Sequence, residues 1–416
     1  MTFAYSGGVL CADEVSLEAI ARRFGTPCYV YSSNDIERNY GAFARALAGR
    51  TALIAYSVKA NSNLSVLALL ARLGAGFDIV SGGELARVLV AGGEPRKIVF
   101  SGVGKTEAEI ERALGAGILC LNLESEAELA RVDAIAARMG LRAPVAFRVN
   151  PDVDAKTHPY ISTGLKQSKF GIAYGDAERL YRDATRCRNV EPIGIGCHIG
   201  SMMTDAAPYA AAAERIVTLV GRIESAGIRL SHIDLGGGIG IRYRDESPAP
   251  IAEFVRGAIA ALGTRKETLI VDPGRAIVGE AGVLLTRIEY VKPGESKNFV
   301  VVDAAMNDLI RPALYDAWHE IRPVRETELD AVPGVYDVVG PVCESADFLA
   351  RDRKLAARPG GFLAVMSAGA YGMAMSSNYN TRPRPAEVMV SGAQATLVRE
   401  RESVDQLFAA ERGLLL

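Results

Sequence analysis

Leu53-Ile54-Ala55-Tyr56-Ser57-Val58-Lys59-Ala60-Asn61 is a short apolar run that closes on a lysine, at a point where a solvated surface lysine would be badly placed. Residues 64–73 (LSVLALLARL) follow with apolar side chains at helical period, and 77–80 (FDIV) is a second short apolar run with Asp78 and Ser81 at its end. The same strand-then-helix unit repeats from about residue 28 to 275. Candidate strands lie at 53–58, 77–80, 98–101, 118–121, 145–149, 193–197, 232–235 and 269–271, with candidate helices at 64–73, 83–91, 107–114, 126–139, 177–187, 209–225 and 251–262.

Eight strands alternating with helices suit a parallel sheet, either open and doubly wound or closed into a (β/α)8 barrel. Polar and glycine groups decide between the two. Lys59, Asp78 with Ser81, Arg148 with Asn150, His198, Gly236 to Gly238, and Asp272 with Arg275 follow the first, second, fifth, sixth, seventh and eighth strands. An open sheet gathers its ligand groups near one switch point, whereas a barrel brings every strand end to one rim. The distribution predicts a TIM-type barrel over residues 28–275.

Beyond Arg275 the texture changes to β runs at 283–291, 299–302, 336–339, 362–366, 388–390 and 395–398, without regular helices. These predict a second, C-terminal β domain, a sandwich or barrel over 276–416, which also takes residues 1–27 through a strand near 3–10. Residues 326–334 and 351–360, rich in charge, proline or glycine, read as exposed connections.

A chain of 416 residues exceeds what one core usually covers, and 49% hydrophobic content supplies two. The net charge of -2, from 47 basic and 49 acidic residues without long runs, gives no reason to expect nucleic acid or an anionic membrane as partner. A small-molecule ligand fits better. No apolar stretch reaches the roughly 20 residues needed to span a bilayer, and residues 1–10 lack the pattern of a secretion signal, so a cytoplasmic location is expected. Cys11, Cys28, Cys120, Cys187, Cys197 and Cys343 are scattered, which predicts reduced thiols. His158, His198, His232 and His319 do not share a helical face at ligand spacing, and no catalytic metal is expected.

Lys59 alone could be an ordinary lysine capping a strand. Desolvated at a barrel rim, it becomes a Schiff-base nucleophile. Gly236-Gly237-Gly238 could be a turn, yet three residues without Cβ after a strand let backbone N–H groups approach a phosphate closely, and the spacing is not that of a dinucleotide fold. In Asp272-Pro273-Gly274-Arg275 the acid and base could form a structural ion pair; alternatively the carboxylate meets a pyridine nitrogen and the guanidinium a phosphate or carboxylate. Together these groups suit pyridoxal 5'-phosphate. His198, before Gly200 and Ser201, could lie flat on the cofactor ring while the Ser201 hydroxyl reaches the phosphate. Cys343, between Gly340-Pro341 and Glu344, is oddly placed for a core thiol and could return a proton to a carbanion. Glu344 could pair with a substrate ammonium. Arg311, Tyr315 and Tyr371 complete the set.

These residues resemble the diaminopimelate decarboxylases, within the alanine-racemase-like, barrel-based pyridoxal-phosphate enzymes. The resemblance runs through residues 56–63 (YSVKANSN), 78–85 (DIVSGGEL), 100–105 (FSGVGK), 148–151 (RVNP), 168–171 (SKFG), 198–201 (HIGS), the triple glycine, 311–315 (RPALY), 340–345 (GPVCES) and 369–372 (GAYG). It implies that Lys59 carries the cofactor and His198 stacks on the ring. Asp78, Gly236, Gly237, Gly238, Ser201, Pro273, Gly274, Arg275 and Tyr371 belong to the cofactor site. It further implies that Asp272 takes the pyridine nitrogen, that Arg275, Arg311, Tyr315, Glu344 and Tyr371 hold the substrate, and that Cys343 is the proton donor. In the family Cys343 and Glu344 come from the partner subunit, which implies a homodimer. The activity implied is decarboxylation of meso-2,6-diaminopimelate to L-lysine. A basic amino-acid decarboxylase of the same fold, a racemase and a non-catalytic pyridoxal-phosphate carrier are the rivals. Two departures stand out: Asp272 where the family usually has glutamate, and Met202 where it usually has glutamine.

Overall fold

The computed structural model describes residues 3–154, 169–327 and 330–414. His158 and Ser168, both named above, lie outside them. The chain divides into two compact units: Asn39–Ile241 with Ser247–Ala276, and Met1–Arg38 with Arg242–Glu246 and Ile277–Leu416.

The first unit is a closed barrel of eight parallel strands: Ala52–Ser57, Gly76–Ile79, Ile98–Phe100, Cys120–Leu123, Ala143–Asn150, Val190–Gly196, His232–Asp234 and Thr268–Val271. Each pairs with the next, and the eighth returns to the first through Leu269 opposite Ala52, Ile270 opposite Leu53 and Val271 opposite Ile54. That closure excludes the open sheet. The first four intervening helices begin on side-chain caps, Asn63, Ser81, Thr106 and Ser125, whose oxygens accept backbone N–H groups left over in the first turn. Thr106 and Glu109 form a reciprocal capping box, and left-handed Gly117 and Gly140 end the helices Glu107–Ala116 and Glu126–Met139.

The barrel interior follows from the two-residue period of a strand. Ala55, Val99, Cys120, Ala146 and Ile270, from five different strands, form one buried cluster. Two residues further on, in the same strands or just past their ends, come Ser57, Ser101, Asn122, Arg148 and Asp272, so the apolar layer gives way to a polar one. His232 fills part of the apolar layer beside Cys120, at 3.7 Å, and a Cβ on Gly194 would sit 1.9 Å from its Nε2. Burial pushes the His232 imidazole down to about 4, so it is a neutral filler.

The second unit is built on a mixed sheet in the order Phe348–Ala357, Val332–Val339, Asn298–Val302, Gly282–Lys292, Cys28–Ser32, Ala386–Ser391, Gln394–Arg399, with Phe362–Val365 and Ile321–Pro323 branching from Gly282–Lys292. The N-terminal segment does not simply add a strand to this sheet. Phe3–Ser6, Val9–Ala12 and Val15–Ser16 form a separate three-stranded sheet, and Phe3, Leu10 and Ala12 join Val283, Leu285 and Val388 in one core.

Two expectations change here. Cys28–Ser32 is not part of the barrel: it pairs antiparallel with Gly282–Lys292 and parallel with Ala386–Ser391, so the barrel unit starts at Asn39 rather than residue 28. All five of its residues are buried, and a strand covered on both faces has the same composition in either kind of sheet. Residues 351–360 are largely not a connection either. Phe348–Ala357 is a strand paired with Val332–Val339, and its charged run, Arg351 to Lys354, spans a register shift where the strand is open to solvent.

Candidate active site

The polar layer of the barrel unit converges on Lys59, Asp78 and Asp272. Lys59 sits on a single 3-10 turn, Val58–Ala60, immediately after the first strand, rather than on the strand itself. Its side chain is 37% exposed, and its Nζ lies 3.3 Å from Asp78 Oδ2, so an ion pair rather than an apolar pocket meets the ammonium. Asp78, 1% exposed, also has Ser57 Oγ at 3.1 Å and Ser101 Oγ at 2.7 Å, and Asn122 donates to Ser101 at 3.1 Å. Pro273 and Gly274 brace the lysine turn. The Ser57 N–H donates to the Pro273 carbonyl at 3.2 Å, and a Cβ on Gly274 would come within 2.9 Å of Ala60 Cβ.

His198, Gly237 and Asp272 meet beside this group. The Gly237 N–H donates to His198 Nδ1 at 3.4 Å, which places the ring hydrogen on Nε2. Burial, with Arg148 and Lys59 nearby, holds the His198 imidazole well below its usual range, so the ring is neutral. Asp272 Oδ1 is 3.8 Å from His198 Nδ1, is buried, and has no hydrogen-bond donor among the described residues. Such an orphaned acceptor calls for a partner from outside the protein, and a protonated pyridine nitrogen suits it.

The glycines do more than admit a ligand. Gly236 and Gly238 take positive φ, 72° and 88°, and a Cβ on Gly237 would lie 2.3 Å from the Asp272 carbonyl oxygen. One on Gly238 would lie 2.1 Å from the Gly200 carbonyl oxygen, so the glycine turn nests against the chain just after His198. Arg275 donates to Ser201 Oγ at 3.2 Å, which brings two of the expected phosphate ligands together. Arg148 is committed elsewhere: it pairs with Glu124 at 3.3 Å, and Glu124 also accepts the Gly102 and Gly171 N–H groups.

The sequence reading missed Asp234, which is 4% exposed and accepts the Gly236 N–H at 2.9 Å. Burial first, then the Asp78 charge, pushes its carboxyl up to about 7; Asp272 is driven upward by burial, Asp234 and Asp78. In the unfolded chain Asp234 ionises near 3.8. A raised folded value means full stability while both states are protonated, and a loss as pH climbs from about 4 through about 7. Asp234→Asn should therefore raise the melting temperature of the cofactor-free protein by about 3 °C or more at pH 8, a gain that fades near pH 4. Equal melting temperatures at both pH values would show that the carboxylate carries no such cost.

The other candidates lie in the β unit. Arg311, 6% exposed, opens the short helix Arg311–Tyr315, which ends on Tyr315. Tyr371 is held at φ 56°, a conformation uncommon for a bulky residue, between Gly369 and Gly372. Those glycines are forced: a Cβ on Gly369 would lie 1.9 Å from the Val278 carbonyl oxygen, and one on Gly372 would lie 2.6 Å from Tyr29 Oη. Cys343 and Glu344 are exposed at the tip of a loop clamped at its base by Asp347, whose two oxygens accept the Met306 and Val342 N–H groups at 2.7 Å each. Asn380 Oδ1 accepts the Cys343 N–H at 2.9 Å. All six cysteines are free thiols.

A barrel rim that presents a lysine, a glycine turn beside Ser201 and Arg275, and an orphaned buried carboxylate suits a pyridoxal-phosphate enzyme. Residues 33–279 match the family described as pyridoxal-dependent decarboxylase, pyridoxal binding domain. Over 99% of its length the chain is 57% identical to the diaminopimelate decarboxylase of Pseudomonas aeruginosa, covering 98% of that protein, and over 98% it is 53% identical to that of Vibrio cholerae, covering 97%. The solved diaminopimelate decarboxylase of Helicobacter pylori, complexed with L-lysine, superposes with a TM-score of 0.93 at 42% identity, covering 96% of this chain and 100% of that one. The chain belongs to the diaminopimelate decarboxylase family of pyridoxal-dependent decarboxylases, and its cofactor is pyridoxal 5'-phosphate.

Proposed function

We propose that this chain decarboxylates meso-2,6-diaminopimelate to L-lysine and carbon dioxide, the last step of lysine biosynthesis. The observation that carries the reading is likeness to diaminopimelate decarboxylases over nearly the full length, which includes the β unit with Arg311, Cys343 and Glu344 as well as the barrel. Bound pyridoxal phosphate supplies an aldehyde that an amine can hold and a ring that, when protonated, drains the electron pair left at Cα.

Lys59 would hold that aldehyde through Nζ, and Asp78, with Oδ2 3.3 Å from that nitrogen, accepts a hydrogen from it while the amine is free and so aims it at the cofactor. Asp272 Oδ1 would accept the ring N–H, the neutral His198 imidazole would pack against the ring, and Gly236–Gly238 with Ser201, Arg275 and Tyr371 would hold the phosphate. Arg275, Tyr315 and Tyr371 orient the substrate. Glu344 meets the ammonium of its far end and Arg311 the carboxylate there, since a desolvated carboxylate needs a cationic partner. Cys343 Sγ delivers a proton to the carbon that has lost its carboxylate. Cys343 and Glu344 are exposed on the single chain, which suits residues supplied to a neighbour's site; the active form is a cytoplasmic homodimer with shared sites.

Ornithine, arginine and lysine end in a cation alone, whereas diaminopimelate carries both charges at its far end. Carbon dioxide should therefore be released from meso-diaminopimelate, with L-lysine as product, and not from the other three. Comparable release from ornithine or lysine would reverse the assignment. In the same assay Arg311→Ala should raise KM for meso-diaminopimelate roughly 100-fold with a smaller change in kcat. An unchanged KM would remove Arg311 from the substrate site.

A further inference from the structure

His319 enters none of the chemistry above, yet it is fully buried and both ring nitrogens are engaged. Nδ1 lies 2.8 Å from the Met366 carbonyl oxygen, and Nε2 lies 2.7 Å from Nη1 of Arg311. A carbonyl oxygen only accepts, so Nδ1 carries the hydrogen; a guanidinium only donates, so Nε2 presents its lone pair. The two partners together admit one form, the neutral Nδ1–H imidazole. Met366 is itself fixed, following the strand Phe362–Val365 and donating its N–H to the Glu320 carbonyl at 2.8 Å. Tyr243 closes the group. Its ring stands 5.1 Å from the imidazole at 80° and 4.5 Å from the guanidinium carbon of Arg311.

We infer that His319 is a positioning residue that sets substrate specificity: it fixes the rotation of the Arg311 guanidinium that meets the substrate's non-reacting carboxylate, and it does so without adding negative charge. This rests on the assignment of Arg311 to that carboxylate. An aspartate or glutamate could accept the same hydrogen bond, but its charge would offset the one that attracts the substrate. A neutral imidazole holds the guanidinium and leaves its charge in place. The π face of Tyr243 acts in the same sense, attracting the cation without an anion.

The test measures inhibition constants on the holoenzyme for L-lysine and for 1,5-diaminopentane, which is the same chain without a carboxylate. His319→Asn can still donate to the Met366 carbonyl but falls short of Arg311, and His319→Phe fills the space with no acceptor, which guards against a folding loss from the smaller residue. In both, the constant for L-lysine should rise roughly 10- to 100-fold while that for 1,5-diaminopentane stays within about twofold. KM for meso-diaminopimelate should rise more than kcat falls, and His319→Gln, whose amide oxygen can reach Arg311, should recover most of the loss. If both inhibitors weaken together, His319 only supports the fold and the inference is wrong. If neither moves while Arg311→Ala weakens L-lysine, the inference fails and the role of Arg311 stands. If Arg311→Ala leaves L-lysine binding unchanged, that role fails and takes the inference with it.

Discussion

Lys59→Ala should abolish carbon dioxide release, lowering kcat on the order of 10⁴-fold or more, and should remove the covalent cofactor adduct that borohydride traps. The loss should be chemical rather than structural. Lys59 lies on a one-turn 3-10 segment whose backbone is braced by Pro273 and Gly274, and none of those contacts involves its side chain. Asp78 keeps the Ser57 and Ser101 hydroxyls when the ammonium is gone, so the buried carboxylate retains hydrogen-bond donors. A melting temperature within a few degrees of the parent should therefore accompany the lost activity. Turnover and a trapped adduct that both survive would refute the role of Lys59.

The second large effect falls on Asp272→Asn, which should lower kcat by about 10²- to 10³-fold while leaving KM for meso-diaminopimelate little changed. Asparagine offers an amide oxygen where the orphaned Oδ1 now sits, so the contact can form, but it brings no negative charge to keep a ring nitrogen protonated. The variant isolates charge from shape. Asp272→Glu supplies the residue the family usually carries and should stay within about tenfold of the parent, because charge is retained and only reach changes. Wild-type kcat in the asparagine variant would show that the carboxylate does not serve the ring nitrogen.

The barrel is legible in the sequence because its strands are short, apolar and punctuated by chemistry. Each polar group that ends a strand, such as Lys59, Asp78 or Asp272, marks both an element boundary and the rim. Cys28–Ser32 defeats the same logic, since five buried residues followed by a helix look like one more barrel unit until their partners, Gly282–Lys292 and Ala386–Ser391, are known. Ser57, Ser101, Asn122 and Asp234 were open to discovery. Each stands two residues beyond an inward-facing core position, which is the signal the period of a strand provides. His319 gave no such signal: its carbonyl partner is 47 residues away and its role depends on which atoms of Arg311 and Met366 it meets.

The interleaving of the second unit also dictates an order of assembly. Every strand pair of the barrel joins segments between Ala52 and Val271, so that cylinder can close once residue 271 has emerged from the ribosome, before residues 386–391 are made. The strand Cys28–Ser32, made earlier, must wait for Ala386–Ser391 before both its edges are covered. A strand made before the barrel is thus covered only after it.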